Sequence, residues 1–243
     1  MKYAKYVKPK KNKDLIGTIS SIVLLVAFLV LAFFVGVMFY CNVALGYYPI
    51  SGTSMQPLIN ASGLNTDYVY ATYDVSNATY GDVIIFHHPD ATQASAYRQV
   101  IKRVIALGGD NVMIKNTFRP VENTDQTYYA LYIQYGGEGE FVEVDEDYVI
   151  DKTSYRSLYF GDFYVDDDHD KTFLFDEYGN PYIHLEEGQI FYAGDNRLNS
   201  NDCFDYGPQE VSNIVAEVRY IIYGGTNRIW QVILQMLGIY KWN

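Results

Sequence analysis

Hydrophobic and polar positions divide this chain into two regimes. From Leu15 to Tyr40 the segment LIGTISSIVLLVAFLVLAFFVGVMFY carries no charged residue, and an apolar run of roughly 20 residues is the length a helix needs to cross a bilayer. One transmembrane helix is therefore expected over residues 15–40. Beyond it, short apolar runs rich in Tyr, Val and Ile are broken by Gly, Asp and Asn, which is the alternation of strands and turns. Strands are expected at Tyr68 to Tyr73, Asp82 to Phe86, Gln99 to Ala106, Tyr128 to Tyr135, Thr172 to Phe175, Gln189 to Tyr192 and Val215 to Tyr223. Helical periodicity is scarce. The pattern predicts a mainly β fold, an antiparallel sheet or partly open barrel, behind one N-terminal transmembrane helix.

Two stretches depart from that rhythm. Residues 116–185 are richer in acidic and aromatic residues than their flanks, and read as an insert within the domain. Near the C-terminus, TNRIWQVILQMLGIYKWN begins with a capping residue at Thr226 or Asn227 and has too few apolar residues to span a membrane. A short amphipathic helix is expected at about 227–241. Its Trp230, Tyr240 and Trp242 suit either a bilayer interface or packing on the domain.

Charge adds an orientation. Six of the 18 basic residues fall in the first 13 positions, all of them lysines, while the chain as a whole has a net charge of −11. The positive-inside tendency puts residues 1–14 in the cytoplasm as a basic tail and residues 41–243 outside as one extracytoplasmic domain. A cleaved signal peptide with a small-residue site at Ala44-Leu45-Gly46 is the competing reading. The apolar run exceeds the roughly 7–15 residues of such signals, so a retained single-pass anchor is preferred.

Composition also limits the chemistry. Cys41 and Cys203 are the only cysteines, so no disulfide framework is expected. The acidic run Asp166 to Asp170 lacks the spacing, turn glycine and final Glu of a calcium loop and reads as a solvated loop, so no metal and no cofactor are expected. The acidic balance argues against a nucleic-acid partner, which calls for a basic face.

One short stretch, SGTSMQPLI from Ser51 to Ile59, carries a serine framed by turn residues soon after the membrane segment. Ser54 is either part of an ordinary turn or a nucleophile, and a nucleophilic serine needs a base. The histidines offer none with a pairing pattern: His87 and His88 follow a strand, and His169 and His184 lie in the insert. A lysine can act as a neutral amine if desolvation lowers its pKa from about 10.4 toward the working pH. Lys102, in RQVIKRVIALGGD, shares a strand face with Val100 and Val104. Arg103 is flanked by Ile101 and Ile105 in the same way, so strand position alone does not distinguish the base.

The segments taken together do. SGTSMQPLI, YGDVIIFHHP, VIKRVIALGGD and GQIFYAGDNRLNSNDCFDYG occur in this order behind a single anchor, and together they resemble the bacterial type I signal peptidases. The resemblance covers the anchor and roughly residues 48–115 and 186–222, and leaves the insert unmatched. It implies a membrane-bound serine endopeptidase that removes signal peptides from exported preproteins at the outer face of the bacterial cytoplasmic membrane. Its implied partners are those signal peptides and the lipid bilayer.

Position by position, the resemblance implies Ser54 as nucleophile, Lys102 as general base and Ser200 as the hydroxyl that orients the lysine. Met55 would line the substrate cleft and Pro57 would stiffen the loop. The backbone N–H of Ser54 would help hold the oxyanion, but some relatives add a serine hydroxyl where this chain has Gly52. Gly194, Asp195, Asn196 and Arg197 form the Gly-Asp-Asn-Arg turn expected to present Ser200. The family usually pairs the aspartate matching Asp202 with an arginine two residues later. Phe204 stands there, so Asp202 is expected to find another cation, with Arg103 and Arg197 the candidates. Cys203 is read as a packing residue.

Location agrees with that reading. From Tyr40 to Ser54 is 14 residues, which at about 3.3–3.6 Å each limits the serine to about 50 Å from the membrane end of the helix. The eukaryotic and archaeal branch of these peptidases uses histidine where Lys102 stands, and self-cleaving repressor-type proteases lack an anchor. From a different class, the alternative is a non-catalytic tethered receptor or adhesin.

Overall fold

The computed structural model describes residues 13–60, 66–89, 97–120, 127–149, 173–224 and 228–242. The acidic run Asp166 to Asp170, with His169, and nearly all of the basic tail lie outside them. The chain divides into two units, Met1–Val43 and Ala44–Asn243.

The first unit is one helix, α1 (Lys13–Val43). Its stretch Ile16–Val43 is long and apolar enough to cross a membrane, and its side chains are exposed along almost the whole length. An apolar helix with so many exposed side chains is what a lipid environment accommodates. The helix runs past Tyr40 because no breaker intervenes. Asn42 then turns its Nδ2 back onto the Met38 carbonyl at 2.7 Å, and the next regular element starts at Leu45.

The second unit is built on two antiparallel sheets. The first has seven strands in the order β1 (Leu45–Ile50), β2 (Asp67–Thr72), β12 (Ile214–Ile222), β3 (Val83–Pro89), β4 (Tyr97–Leu107), β10 (Gln189–Ala193) and β11 (Gln209–Glu210). The second has five, in the order β7 (Val142–Glu143), β6 (Thr127–Gln134), β5 (Asn111–Pro120), β9 (Pro181–His184) and β8 (Leu174–Phe175). Every strand run read from the pattern has a counterpart here. The pattern missed β1, β5, β7, β9 and β11: β1 contains Gly46 and Pro49, tolerated because it is an edge strand, β5 breaks its apolar run at Lys115 and Asn116, β9 is four residues opening on Pro181, and β7 and β11 are two residues long.

The sheets meet through a short turn. After β4 the chain reverses over Gly108 to Asp110 into β5, with Gly109 at φ 93°, a left-handed conformation that suits glycine. Asp110 fixes this turn. Its carboxylate accepts from the Leu107 N–H at 2.9 Å, the Gly136 N–H at 2.8 Å and the Tyr80 hydroxyl at 2.9 Å. Burial and the Asp110 carboxylate together push the Tyr80 phenol up to about 12.

Two hydrophobic clusters follow from the period-2 alternation of the strands. Ile84, Phe86, Val104 and Ala106 pack with Val112, Leu131, Ile133 and Ile183 of the second sheet. Val83, Ile85 and Ile101 pack with Val69, Ala71, Ala216 and the buried residues Met55 and Ile59. Helix α2 (Cys203–Tyr206) is a single turn, and the C-terminal helix α3 (Arg228–Met236) lies along β12. Gln231 and Gln235 clip α3 to the backbone of Tyr223 and Ile221. Trp242 packs against the second cluster, whereas Trp230 and Tyr240 are exposed.

Candidate active site

Ser54 enters a tight turn after β1. Gln56 N–H donates to the Thr53 carbonyl at 3.1 Å, and Ile59 N–H to the Met55 carbonyl at 2.9 Å. The Gln56–Pro57 peptide is cis. Met55 and Ile59 are buried, 1% and 0% exposed, and their insertion into the core holds the turn down. Met55 was expected to line the substrate cleft. It belongs to the core instead, because the turn directs it inward while Ser54 stays partly accessible.

Two residues that the sequence reading did not single out close this loop. Asn60, at φ 58°, donates through Nδ2 to the carbonyls of Ile50 at 2.8 Å and Gly52 at 2.9 Å. It is in turn locked to Asp67: Asn60 N–H donates to the Asp67 carboxylate at 2.7 Å, and Asp67 N–H to Asn60 Oδ1 at 2.9 Å. Asparagine is among the few non-glycine residues that tolerate this conformation, which is the one signal the sequence offered.

Lys102 lies in the middle of β4, 3% exposed, and its Nζ stands 2.9 Å from Ser54 Oγ. β3 and β10 flank this part of β4, with Ile84 opposite Lys102 and Ala193 opposite Arg103. A central strand position keeps the amine away from bulk water, and desolvation favours the neutral form of an amine. The dyad opens onto a cleft of about 530 Å³ whose walls include Tyr48, Ile50, Ile85, His88, Ile101 and Tyr206.

The Gly194 to Ser200 segment backs the Thr53–Ser54 loop. Asn196 N–H donates to the Ser54 carbonyl at 2.9 Å, and Asn196 Nδ2 to the Thr53 carbonyl at 3.1 Å. Asn199 Nδ2 reaches Thr53 Oγ1. Gly194 is required here by close approach: a Cβ at this position would sit 2.5 Å from the Ser54 carbonyl oxygen and would overlap the Ser200 side chain. Ser200 Oγ is buried against Gly194 and has no hydrogen-bond partner among the described residues. The hydrogen bond expected from it to Lys102 is therefore not formed; the side chain is taken up in packing over the glycine.

Both candidate cations for Asp202 are engaged elsewhere. Arg103 makes a bidentate pair with Asp195, Nε to Oδ1 at 2.8 Å and Nη2 to Oδ2 at 2.7 Å, and donates to the Gly81 carbonyl at 2.8 Å. Arg197 donates through Nε to the Gly194 carbonyl at 2.9 Å and pairs with Glu146. Asp202 has no cation among the described residues. Its carboxylate accepts instead from the N–H groups of Gly194 at 2.9 Å and Phe204 at 3.1 Å, as the N-cap of α2 in a capping box with Asp205. Backbone donors and the helix N-terminus replace the expected ion pair. Phe204 is buried, its ring 5.0 Å from that of Phe191 and 5.6 Å from the Arg197 guanidinium.

Cys203 is fully buried and accepts from the Tyr192 N–H at 3.2 Å. Burial pushes its thiol well up, so it is held as a neutral packing group. The histidines are placed by other partners: His88 Nδ1 lies 2.8 Å from the Tyr192 hydroxyl, His87 Nε2 3.2 Å from Gln99, and His184 Nδ1 2.7 Å from Asn111. Gly52 borders the cleft, and a Cβ there would meet nothing within 4 Å. Pro57 is exposed.

A serine and a buried amine in contact at a cleft can do acyl transfer. Comparison with known proteins agrees in kind. A probable signal peptidase I-1 from Synechocystis sp. is 27% identical over 143 residues, covering 58% of this chain and 52% of that protein. Signal peptidase I from Bacillus caldolyticus is 27% identical over 175 residues, covering 71% of this chain and 76% of its own. The chain therefore spans about half the length of the first relative and three quarters of the second. A solved signal peptidase I from Enterococcus faecalis V583 is 20% identical with a TM-score of 0.34, over 58% of this chain and 96% of its own. Residues 18–223 match the family model described as signal peptidase, peptidase S26, and on that match, which takes in every residue of the site above, the chain belongs to the signal peptidase family.

Proposed function

We propose that this member of the signal peptidase family is a membrane-anchored serine endopeptidase that cleaves signal peptides from exported preproteins with Ser54 and Lys102. The 2.9 Å separation between Lys102 Nζ and Ser54 Oγ carries the reading. Neutral Lys102 accepts the Ser54 hydroxyl proton as Oγ bonds to the scissile carbonyl carbon. The Lys102 ammonium then returns that proton to the departing amine as the C–N bond breaks, which leaves an acyl-enzyme. Lys102 next takes a proton from water as the water oxygen bonds to the ester carbonyl carbon, and returns it to Ser54 Oγ as the C–Oγ bond breaks, which releases the acid product and restores the pair.

The Ser54 N–H faces the developing oxyanion, and Gly52 contributes no side-chain donor beside it. The substrate binds extended along the cleft, and its small side chains near the scissile bond enter shallow subsites of that wall. The lysine-rich tail lies in the cytoplasm and the β domain outside the cytoplasmic membrane of a bacterium, with α1 as a single-pass anchor.

The test is cleavage of a preprotein by the purified full chain in lipid vesicles, with the new N-terminus read by mass spectrometry. One cut after a small residue is expected, and none with Ser54→Ala. A full chain that binds preprotein without cutting it would support the non-catalytic receptor instead.

A further inference from the structure

Glu146 follows β7 in the segment that leads to β8, in the part of the chain that the family motifs leave out. It is nevertheless one of the most buried acids among the described residues, 2% exposed, and its pair with Arg197 is almost dry, with side chains 1% and 2% exposed. Acids are almost never this buried unless paired, and the partner that keeps Glu146 inside is Arg197. The path from this carboxylate to the dyad is short and continuous. Glu146 holds the Arg197 guanidinium, Arg197 Nε holds the Gly194 carbonyl, and Gly194 lies directly against the Ser54 carbonyl. Two residues on, Tyr148 places its ring 4.2 Å from the Arg103 guanidinium, the cation paired with Asp195. One short segment of the second sheet region thus covers both arginines that hold the Gly194 to Arg197 turn.

We propose that Glu146 is a positioning residue for the reaction: through Arg197 it fixes the turn on which the nucleophile loop rests. This assignment rests on the Ser54–Lys102 reading above and gives the second sheet a role in it. An acid that only stabilised the fold would not need to act on this turn. A positioning acid, by contrast, changes the reaction rate with little effect on substrate affinity, because it touches no substrate.

The experiment uses the full chain in detergent or vesicles and compares Glu146→Gln and Glu146→Leu with the unaltered protein. For Glu146→Leu, kcat should fall about 10- to 100-fold, the scale of a small misplacement of reacting groups, with KM within about twofold. Glu146→Gln keeps an acceptor for Arg197 and should fall between the two. Hydrogen exchange at the Asn196 amide, which donates to the Ser54 carbonyl, should quicken while amides of β12 exchange as before. Unchanged kcat in Glu146→Leu overturns the proposal.

If that variant loosens throughout, β12 included, the double variant Glu146→Leu/Arg197→Met removes both charges of the pair and decides the matter. A refolded double variant with a slowed kcat and fast Asn196 exchange supports positioning; one with the original kcat overturns it. Should the unaltered chain fail to cleave preprotein, the functional reading falls. Asn196 exchange, which needs no turnover, would still decide whether Glu146 holds the turn.

Discussion

Lys102 Nζ and Ser54 Oγ come within 2.9 Å although 48 residues of sequence separate them. In the proposed dyad the strand supplies the base and the loop the nucleophile, and the lysine is buried where the two meet. Ser54→Ala and Lys102→Ala should each lower preprotein cleavage by at least about 10³-fold, since nucleophile and base act as a unit. Lys102→Arg should be as inactive, because a guanidinium does not become a neutral base. A single-turnover assay checks this, and near-normal turnover in any of the three refutes the dyad.

In the proposed mechanism the active form of Lys102 is the neutral amine, so activity should rise with pH. Because Lys102 is buried, the rise in kcat/KM should pass through one ionisation below the ~10.4 of a free lysine. A profile still climbing at that value would contradict the desolvation argument.

Gly194 leaves no room for a side chain. Gly194→Ala would drive a methyl group against the Ser54 carbonyl oxygen and the Ser200 side chain. Overpacking of this kind costs about 1–3 kcal/mol, and here it displaces the nucleophile as well. Thermal unfolding should shift downward and kcat should drop by about 10²-fold.

Gly52 is the opposite case, bordering the cleft with open space around its Cα. Gly52→Ser should fold normally and, by offering a hydroxyl to the oxyanion, raise kcat several-fold, where losing such a donor costs about 10²–10³ elsewhere. Gly52→Ala should not raise it. Equal rates in the two variants would show that the hydroxyl does not reach the oxyanion.

Restoring the arginine usual in the family at position 204 should harm this protein. Phe204→Arg would bury a second guanidinium near Arg197, beside an Asp202 already satisfied by backbone donors. An uncompensated buried charge costs about 3–5 kcal/mol, which equilibrium unfolding in denaturant would register.

Asp205 gives a pH-dependent prediction. Burial, with the Asp202 carboxylate adding to it, raises the Asp205 carboxyl above its ordinary value. Between the unfolded value and that raised one, the folded chain holds the extra proton, so stability falls as pH rises through the window. Asp205→Asn keeps an acceptor for the Asp202 N–H and should melt at the same or a higher temperature near pH 7. The difference should close below about pH 4, where the unfolded carboxyl is also protonated. A lower melting temperature at pH 7 would refute the assignment.

The sequence by itself determined the helix and most of the strands, because both are local consequences of composition and period. An uncharged apolar run from Leu15 to Tyr40 has no stable place in water, and alternating Tyr, Val and Ile runs pair as strands. Ordered motifs also pointed to Ser54 and Lys102. Partnerships between distant side chains were decided only by the tertiary structure. Asp202 found backbone N–H groups rather than a cation, Ser200 Oγ was absorbed in packing, and Met55 turned into the core. Asn60, Asp67 and Glu146 entered the site from positions with no motif around them. A hydrogen bond or ion pair across many residues depends on how strands stack and which way loops turn. Those are properties of the packed chain, and the local pattern of hydrophobic and polar positions does not encode them.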